Sequence, residues 1–494
     1  MSSRRIAVIE AWFTSPSQAG KHRGYSASDV ALHRDAGELT VDNTMARRLR
    51  HLLAEHTKAG TCITSLGVVD STSLHAATEE GLVCAYVSGA ALSFADVGRT
   101  DPSADLSDYL PSAVADKVNS MYRAQLARDR LNRGLAQRGF KCTDPMIPLI
   151  ADCDSGYGLH TSVMKAVKLL VEAGTAGLHI DDMLSGSKRF DKVDGVGGVL
   201  VPLSEHKRRL VAAQLQLDIM GSECVLINRT DAIHSTHITS TIDPADRAFI
   251  LGSPIPSLPS YASLRTSAER TAWRAAAQLC SIDEATARAA EAAGDLDLLQ
   301  KYNAQVGSLC AGDAKRLALR LGIKVEWDCD IARTYQGWYP YRGCIESSLD
   351  RMKRTSHLFD VVWYCAISYL ASEAEFFAKE LQAASPGKWM MFNTTQASRA
   401  RVKDIPPAEL ERIPHTLGRL GYSLNIMPLA GQVIHALGSA RGSKAVLQGG
   451  LAAFIEEIAG PAEDEAEGRP LVAQWHPNFG SIADSVMDII GTGE

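Results

Sequence analysis

Residues 148–158 read Pro-Leu-Ile-Ala-Asp-Cys-Asp-Ser-Gly-Tyr-Gly, and residues 177–182 read Gly-Leu-His-Ile-Asp-Asp. Each is a short apolar run closed by acids, the pattern of a buried strand that ends in a polar loop. Two such strands side by side bring Asp152, Asp154, Asp181 and Asp182 together, where their mutual repulsion is costly unless a cation neutralises it. Oxygen-only ligands beside glycines suit magnesium, which keeps waters and is completed by substrate oxygens. Singly, Asp152 and Asp154 read equally well as helix caps, and Asp181 and Asp182 as salt-bridged loop acids. Their convergence is what points to a metal.

Working outward, six further runs of the same kind occur at 61–68, 83–89, 223–231, 359–366, 389–395 and 422–428, and the first two extend to 146–154 and 177–182. Helical patterns such as 161–173 and 204–220 lie between them, with apolar residues three and four apart. Strand and helix alternating eight times predict an α/β fold with a parallel sheet closed into a (β/α)8 TIM-type barrel. Ser88, Asp152, Asp154, Asp181, Asp182, Arg229, Asp231, Asn393 and Thr395 stand at the C-terminal ends of these runs, which in a barrel share one mouth. The expected organisation is a helical N-terminal extension (1–60), a first part of the barrel (61–252), an inserted helical subdomain (253–330), a second part of the barrel (331–431) and C-terminal helices (432–494).

Of 494 residues, 46% are hydrophobic and 22% charged, enough to bury a large core. The net charge of −6, with basic residues scattered, speaks against nucleic acid as a partner. No stretch approaches the ~20 apolar residues of a membrane span. The N-terminal run is too short for a signal peptide, and the final Gly-Thr-Gly-Glu is no peroxisomal address. The ten cysteines form no C-x-x-C pair or zinc spacing and several lie in apolar runs, as reduced, buried thiols do. A cytoplasmic enzyme is expected.

Beyond the two acidic strands, the runs Val199-Leu-Val-Pro-Leu-Ser-Glu-His206, Arg229-Thr-Asp231, 238–252, Tyr86-Val-Ser-Gly89, Asp105-Leu-Ser-Asp-Tyr109 and Leu429-Ala-Gly431 carry a resemblance. From about residue 25 to 440 the chain resembles the isocitrate lyases of the isocitrate lyase/phosphoenolpyruvate mutase superfamily, particularly their eukaryotic, fungal-type members. The resemblance implies C-terminal helices exchanged between subunits of a homotetramer. It implies that Asp152 holds magnesium directly, with Asp105, Asp154 and Asp181 acting mainly through its waters. It places Ser88 and Gly89 at the aldehyde-acid end of a substrate, and His179, Arg229 and Asn393, with Thr395 close behind, at carboxylate or enolate oxygens. An arginine fork holds a carboxylate bidentately, which suits that role.

The family's catalytic loop reads Lys-Lys-Cys-Gly-His or Lys-Arg-Cys-Gly-His, the cysteine supplying a proton to the departing enolate. Here residues 187–195 read Ser-Lys-Arg-Phe-Asp-Lys-Val-Asp-Gly, about two residues longer, with Phe190 in the cysteine's place. Ala90, Cys365, Thr395, Ala397 and Pro428 also replace the residues the resemblance leads one to expect. Cys153 and Cys365 read as small core residues rather than replacement acids. Asp191 and Asp194 are the acids present in the loop, able to protonate an enolate where burial or neighbouring acids raise their pKa and otherwise solvated residues of a lid, and Lys188 and Arg189 are its carboxylate clamps. The glycine-rich run 195–198 follows no strand and lacks a Walker lysine, so it reads as a lid hinge.

These residues lead to a magnesium-dependent carbon–carbon lyase acting on a small 2-hydroxy or 2-oxo polycarboxylate other than isocitrate. Its catalytic set is Lys188, Arg189, Asp191 and His179. Two alternatives stand beside it: a non-catalytic paralogue that binds a metabolite or partner subunits, and a specialised-metabolism enzyme with new chemistry on the same barrel.

Overall fold

A computed structural model of the chain describes residues 3–34, 41–95, 109–137, 139, 142–188, 197–366, 369–394, 402–462 and 480–491. Its strands are β1 (Ile63–Gly67), β2 (Ala85–Val87), β3 (Leu149–Asp152), β4 (Gly177–Ile180), β5 (Gly198–Leu200), β6 (Val225–Thr230), β7 (Ser235–Ile238), β8 (Tyr339–Pro340), β9 (Val361–Tyr364), β10 (Trp389–Asn393) and β11 (Tyr422–Met427). Eight of them close into a parallel barrel in the order β1-β11-β10-β9-β6-β4-β3-β2. Every barrel strand lies inside one of the eight apolar runs, trimmed at the ends where the chain turns into a loop or helix.

Strand side chains alternate between two faces, and the alternation decides what reaches the mouth. Ile63, Ile150, Ile227, Val361, Trp363, Met391, Leu424 and Ile426 share the interior cluster. Leu149, Leu178, Leu226, Val362 and Phe392 pack in the outer layer with residues of helices His160–Glu172, Leu203–Met220 and Ala371–Ala384. The same parity assigns Tyr86, Asp152, His179, Arg229 and Asn393 to the interior, at or near the C-terminal ends of β2, β3, β4, β6 and β10.

The remaining strands make a small side sheet, β5-β7-β8, in which β7 runs parallel to β5 and antiparallel to β8. This corrects the hinge reading at Gly198. That residue opens β5, and a Cβ there would meet Met183 Cε at 2.6 Å and Ser235 Oγ at 3.0 Å, so its glycine serves close packing. Gly195 lies outside the described residues.

Residues 253–330 carry helices Ser267–Ala276, Ile282–Ala293, Leu296–Gln305 and Ala311–Arg320, around a core that includes Ile282, Tyr302, Leu317 and Trp327. Capping boxes start two of these helices, Thr266 with Glu269 and Ser281 with Glu284. Among the described residues, no helix is long and apolar enough to cross a membrane.

The N-terminal helices Ser3–Phe13, Ala27–His33 and Thr44–Ala59 are tied to the barrel through two buried carboxylates. Asp218 accepts hydrogen bonds from Trp12 Nε1 (2.9 Å), Arg23 Nε (2.7 Å) and Tyr25 Oη (2.6 Å). Asp360, just before β9, accepts from both Arg50 terminal nitrogens at 3.0 Å and from the Leu226 amide at 2.9 Å, and pairs with Lys21 at 3.0 Å. Against the penalty of burial, Arg50 and Lys21 hold the Asp360 carboxyl well below the usual carboxylate range. A depressed folded-state pKa gives stability that is present above the unfolded value and is lost as pH falls through the folded one. Asp360→Asn strands two buried cations, so we expect a loss of about 3–5 kcal/mol in urea unfolding near neutral pH. The loss should shrink with acidification; an equal loss at acid and neutral pH would contradict this role.

Candidate active site at the barrel mouth

The turn after β3 carries the acids. Asp154 (φ +43°) and Tyr157 (φ +58°) both occupy the left-handed region that non-glycine residues rarely adopt. Backbone contacts fix the turn: the Asp154 amide donates to Asp152 Oδ1 at 2.9 Å, and the Asp181 amide donates to the Asp154 carbonyl at 2.8 Å. Local strain held in place by surrounding bonds is common where a site must be pre-shaped.

Asp152 is buried, and its carboxylate is the hub of a polar network. Oδ2 accepts from Tyr86 Oη at 3.1 Å and from the Gly89 amide at 3.0 Å, while Oδ1 faces His179 Nε2 at 3.1 Å. Tyr86 Oη also lies 2.8 Å from His179 Nε2, so tyrosine, histidine and aspartate form a closed triangle. Gly89 is required by this approach, since a Cβ there would come within 2.9 Å of Asp152 Oδ2 and 3.0 Å of Asp154 Oδ2, and would collide with the Tyr109 hydroxyl. Ser88 turns its hydroxyl to the Ala91 amide (3.2 Å) at the start of helix Gly89–Ala95.

Lys188 lies inside the acid cluster. Its ammonium is 2.6 Å from Asp154 Oδ1 and 2.8 Å from Asp181 Oδ2, and the other Asp154 oxygen accepts from the Tyr109 hydroxyl. Despite burial, Asp154 and Asp181 hold the Lys188 ammonium well above its ordinary pKa. Against burial, His179 and Lys188 hold the Asp152 carboxyl well below the carboxylate range, and Lys188 and Arg229 lower Asp181. Asp154 goes the other way: burial, then the neighbouring charge of Asp152, pushes it up.

Arg229 grips Asp231 Oδ1 through Nε (3.2 Å) and Nη2 (2.8 Å) and lies over the Trp363 ring, 4.6 Å from its centroid. Asn393 accepts from Trp363 Nε1 at 2.9 Å and donates to the Ala366 carbonyl at 3.2 Å. Asp182 does not join the acid cluster. It takes the Thr230 hydroxyl, the Asp231 amide and Arg351 Nη1 at 2.7, 2.9 and 3.0 Å, which makes it a structural tie between neighbouring strands.

The mouth thus gathers Asp152, Asp154, Asp181, His179, Lys188, Arg229, Asn393, Ser88 and Gly89. Asp105, Arg189, Phe190, Asp191, Asp194, Thr395 and Ala397 lie outside the described residues. The sequence reading gave no role to Tyr86 or Tyr109, although both lie in motifs quoted for the resemblance; for Tyr86, a tyrosine in a buried run needs a partner for its hydroxyl, and that was the available signal.

The sequence profile described as "Isocitrate lyase family" matches residues 5–476. The chain belongs to that family. An isocitrate lyase of Oryza sativa subsp. japonica is 32% identical over 92% of this chain and 84% of its own length. One of Kluyveromyces lactis is 29% identical, covering 92% and 88%. A mitochondrial 2-methylisocitrate lyase of Schizosaccharomyces pombe is 27% identical, covering 99% and 96%. The family comprises carbon–carbon lyases of small carboxylates and depends on a divalent metal.

The donor set fits such an ion. Three buried carboxylates supply hard oxygens of the kind such an ion takes. Lys188→Met would leave Asp154 and Asp181 without their ammonium partner. The expected loss is about 3–5 kcal/mol in urea unfolding near neutral pH, shrinking under acid conditions that protonate both carboxyls. Unchanged stability at neutral pH would show that Lys188 does not hold the cluster together.

Proposed function

We propose that this member of the isocitrate lyase family is a magnesium-dependent carbon–carbon lyase acting on a 2-hydroxy or 2-oxo polycarboxylate other than isocitrate. The observation that carries the proposal is the buried acid cluster of Asp152, Asp154 and Asp181 around Lys188. A protein without chemistry at the mouth gains nothing from three carboxylates whose burial must be compensated. A divalent cation bound there supplies electrostatic stabilisation of the negative charge that develops as the bond breaks.

In this proposal Asp152 would hold the cation, with Asp154, Asp181 and Asp105 as the supporting acids. Arg229 and Asn393, with Thr395, orient the carboxylates of the substrate, and Ser88 and Gly89 border its aldehyde-acid end. His179 and Tyr86 hold Asp152 in place and share one hydrogen-bonded proton network with it. Lys188 neutralises the acids at the base of the loop, and Arg189 and Asp191 are assigned to the catalytic set by their chemistry alone, the one as a carboxylate clamp and the other as an acid of the loop. The compartment we favour is the cytoplasm, although the Schizosaccharomyces pombe relative is named as mitochondrial.

Substrate choice is tested on isocitrate itself. With Phe190 in place of the cysteine, the enolate left by cleavage lacks its positioned donor, a loss of roughly 10²- to 10⁴-fold in rate. The changed pocket residues Ala90, Cys365, Thr395, Ala397 and Pro428 add to that loss. Glyoxylate release from isocitrate with magnesium should be negligible, and Phe190→Cys alone should not restore it because the loop is also longer. A thermal-shift screen of di- and tricarboxylates with and without magnesium should find a ligand that stabilises only with the metal. Turnover of isocitrate at ordinary lyase rates would overturn the substrate proposal.

Assembly into a homotetramer belongs to the same proposal. Helix Ala430–Phe454 exposes Val433, Ile434, Leu437, Leu447 and Leu451, and helix Gly480–Gly491 exposes Val486, Met487, Ile489 and Ile490. Apolar faces of this extent on a single chain call for cover. Light scattering should give a mass of about four chains; a stable species of 53.2 kDa at micromolar concentration would refute the assembly.

A further inference from the structure

Beside the acid cluster, two neighbouring strands bring together a different set of donors. β6 and β9 pair in parallel, with Arg229 opposite Trp363 and Thr230 opposite Tyr364. The residues that follow, Asp231 and Cys365, therefore leave the barrel side by side, and the turn after β6 returns His234 to the same place. A carboxylate oxygen of Asp231, a ring nitrogen of His234 and Cys365 Sγ all lie within 4.8 Å of one another. All three residues are buried. Arg229 occupies Oδ1 of Asp231, whereas Oδ2 is buried without a well-formed hydrogen bond, the Cys365 thiol being the group that lies against this carboxylate. A buried carboxylate oxygen in that condition is costly unless something positive meets it.

We infer that Asp231, His234 and Cys365 form a second metal site, separate from the acid cluster and selective for a borderline divalent cation of the zinc class. One sulfur, one nitrogen and one oxygen donor match zinc, cobalt or ferrous iron, and a thiolate discriminates against magnesium. The Asp152, Asp154 and Asp181 set has the opposite, all-oxygen character, so the two sites sort cations by hardness. Three protein ligands around a tetrahedral ion leave its fourth position open. The site does not rest on the lyase proposal.

Cobalt serves as the coloured stand-in for zinc. The full chain, stripped with chelator and kept reduced, should take up Co²⁺ with a thiolate-to-cobalt charge-transfer band in the near ultraviolet. Zn²⁺ should bleach the band, and excess Mg²⁺ should not. Cys365→Ser should abolish it. His234→Ala, which keeps the thiol, should weaken cobalt binding by at least about tenfold. Cys329→Ser is the control, because Asp328, Cys329 and Asp330 form another sulfur-containing group, one with exposed acids; that variant should keep the band. Circular dichroism identifies any variant that has failed to fold. No charge-transfer band, a band that survives Cys365→Ser or is lost in folded Cys329→Ser, or affinity unchanged by His234→Ala would overturn the proposal.

Discussion

Carboxylates buried in one barrel mouth cannot remain charged unless positive charge lies among them, and the rest of the site follows from that constraint. Lys188 bridges Asp154 and Asp181, and His179 faces Asp152. The Gly89 amide and the hydroxyls of Tyr86 and Tyr109 complete the shell. Because the balance is local, each group depends on its neighbours. The left-handed turn at Asp154 is held by its amide bond to the Asp152 carboxylate and by the Asp181 amide, and the absence of a side chain at Gly89 is what lets the start of the helix after β2 come so near.

The barrel was legible because strands covered on both faces read as short, nearly continuous apolar runs, and eight of these separated by helical patterns leave few alternatives. Parity then carries a polar residue at a strand end into the mouth, which is why Asp152, Arg229 and Asn393 could be singled out from their positions, whereas His179 came only through the family resemblance. The side sheet was not legible. β8 has two residues, and β5 begins in a glycine-rich run whose strand character depends on β7, more than thirty positions along the chain.

The pairing of charges was harder to read than their presence. Asp181 and Asp182 are adjacent and chemically identical, yet one joins Lys188 and the other ties Thr230 to Arg351. Only the direction in which the chain leaves β4 separates them. Cys365 likewise reads as a small apolar filler in its own run, and acquires a different meaning once β6 sets Asp231 and His234 beside it.

The bond between Arg50 and Asp360 joins residues 310 positions apart. A chain emerging from the ribosome exposes the arginine long before its carboxylate has been made, so the N-terminal helices can dock on Asp218 first but must leave the Arg50 pairing unmade until β9 arrives. The barrel in turn cannot close around an isolated Asp360 at low cost. Its last stage of folding is therefore coupled to capture of a segment made some 310 residues earlier, which favours completion as a single cooperative event over a stable half-barrel.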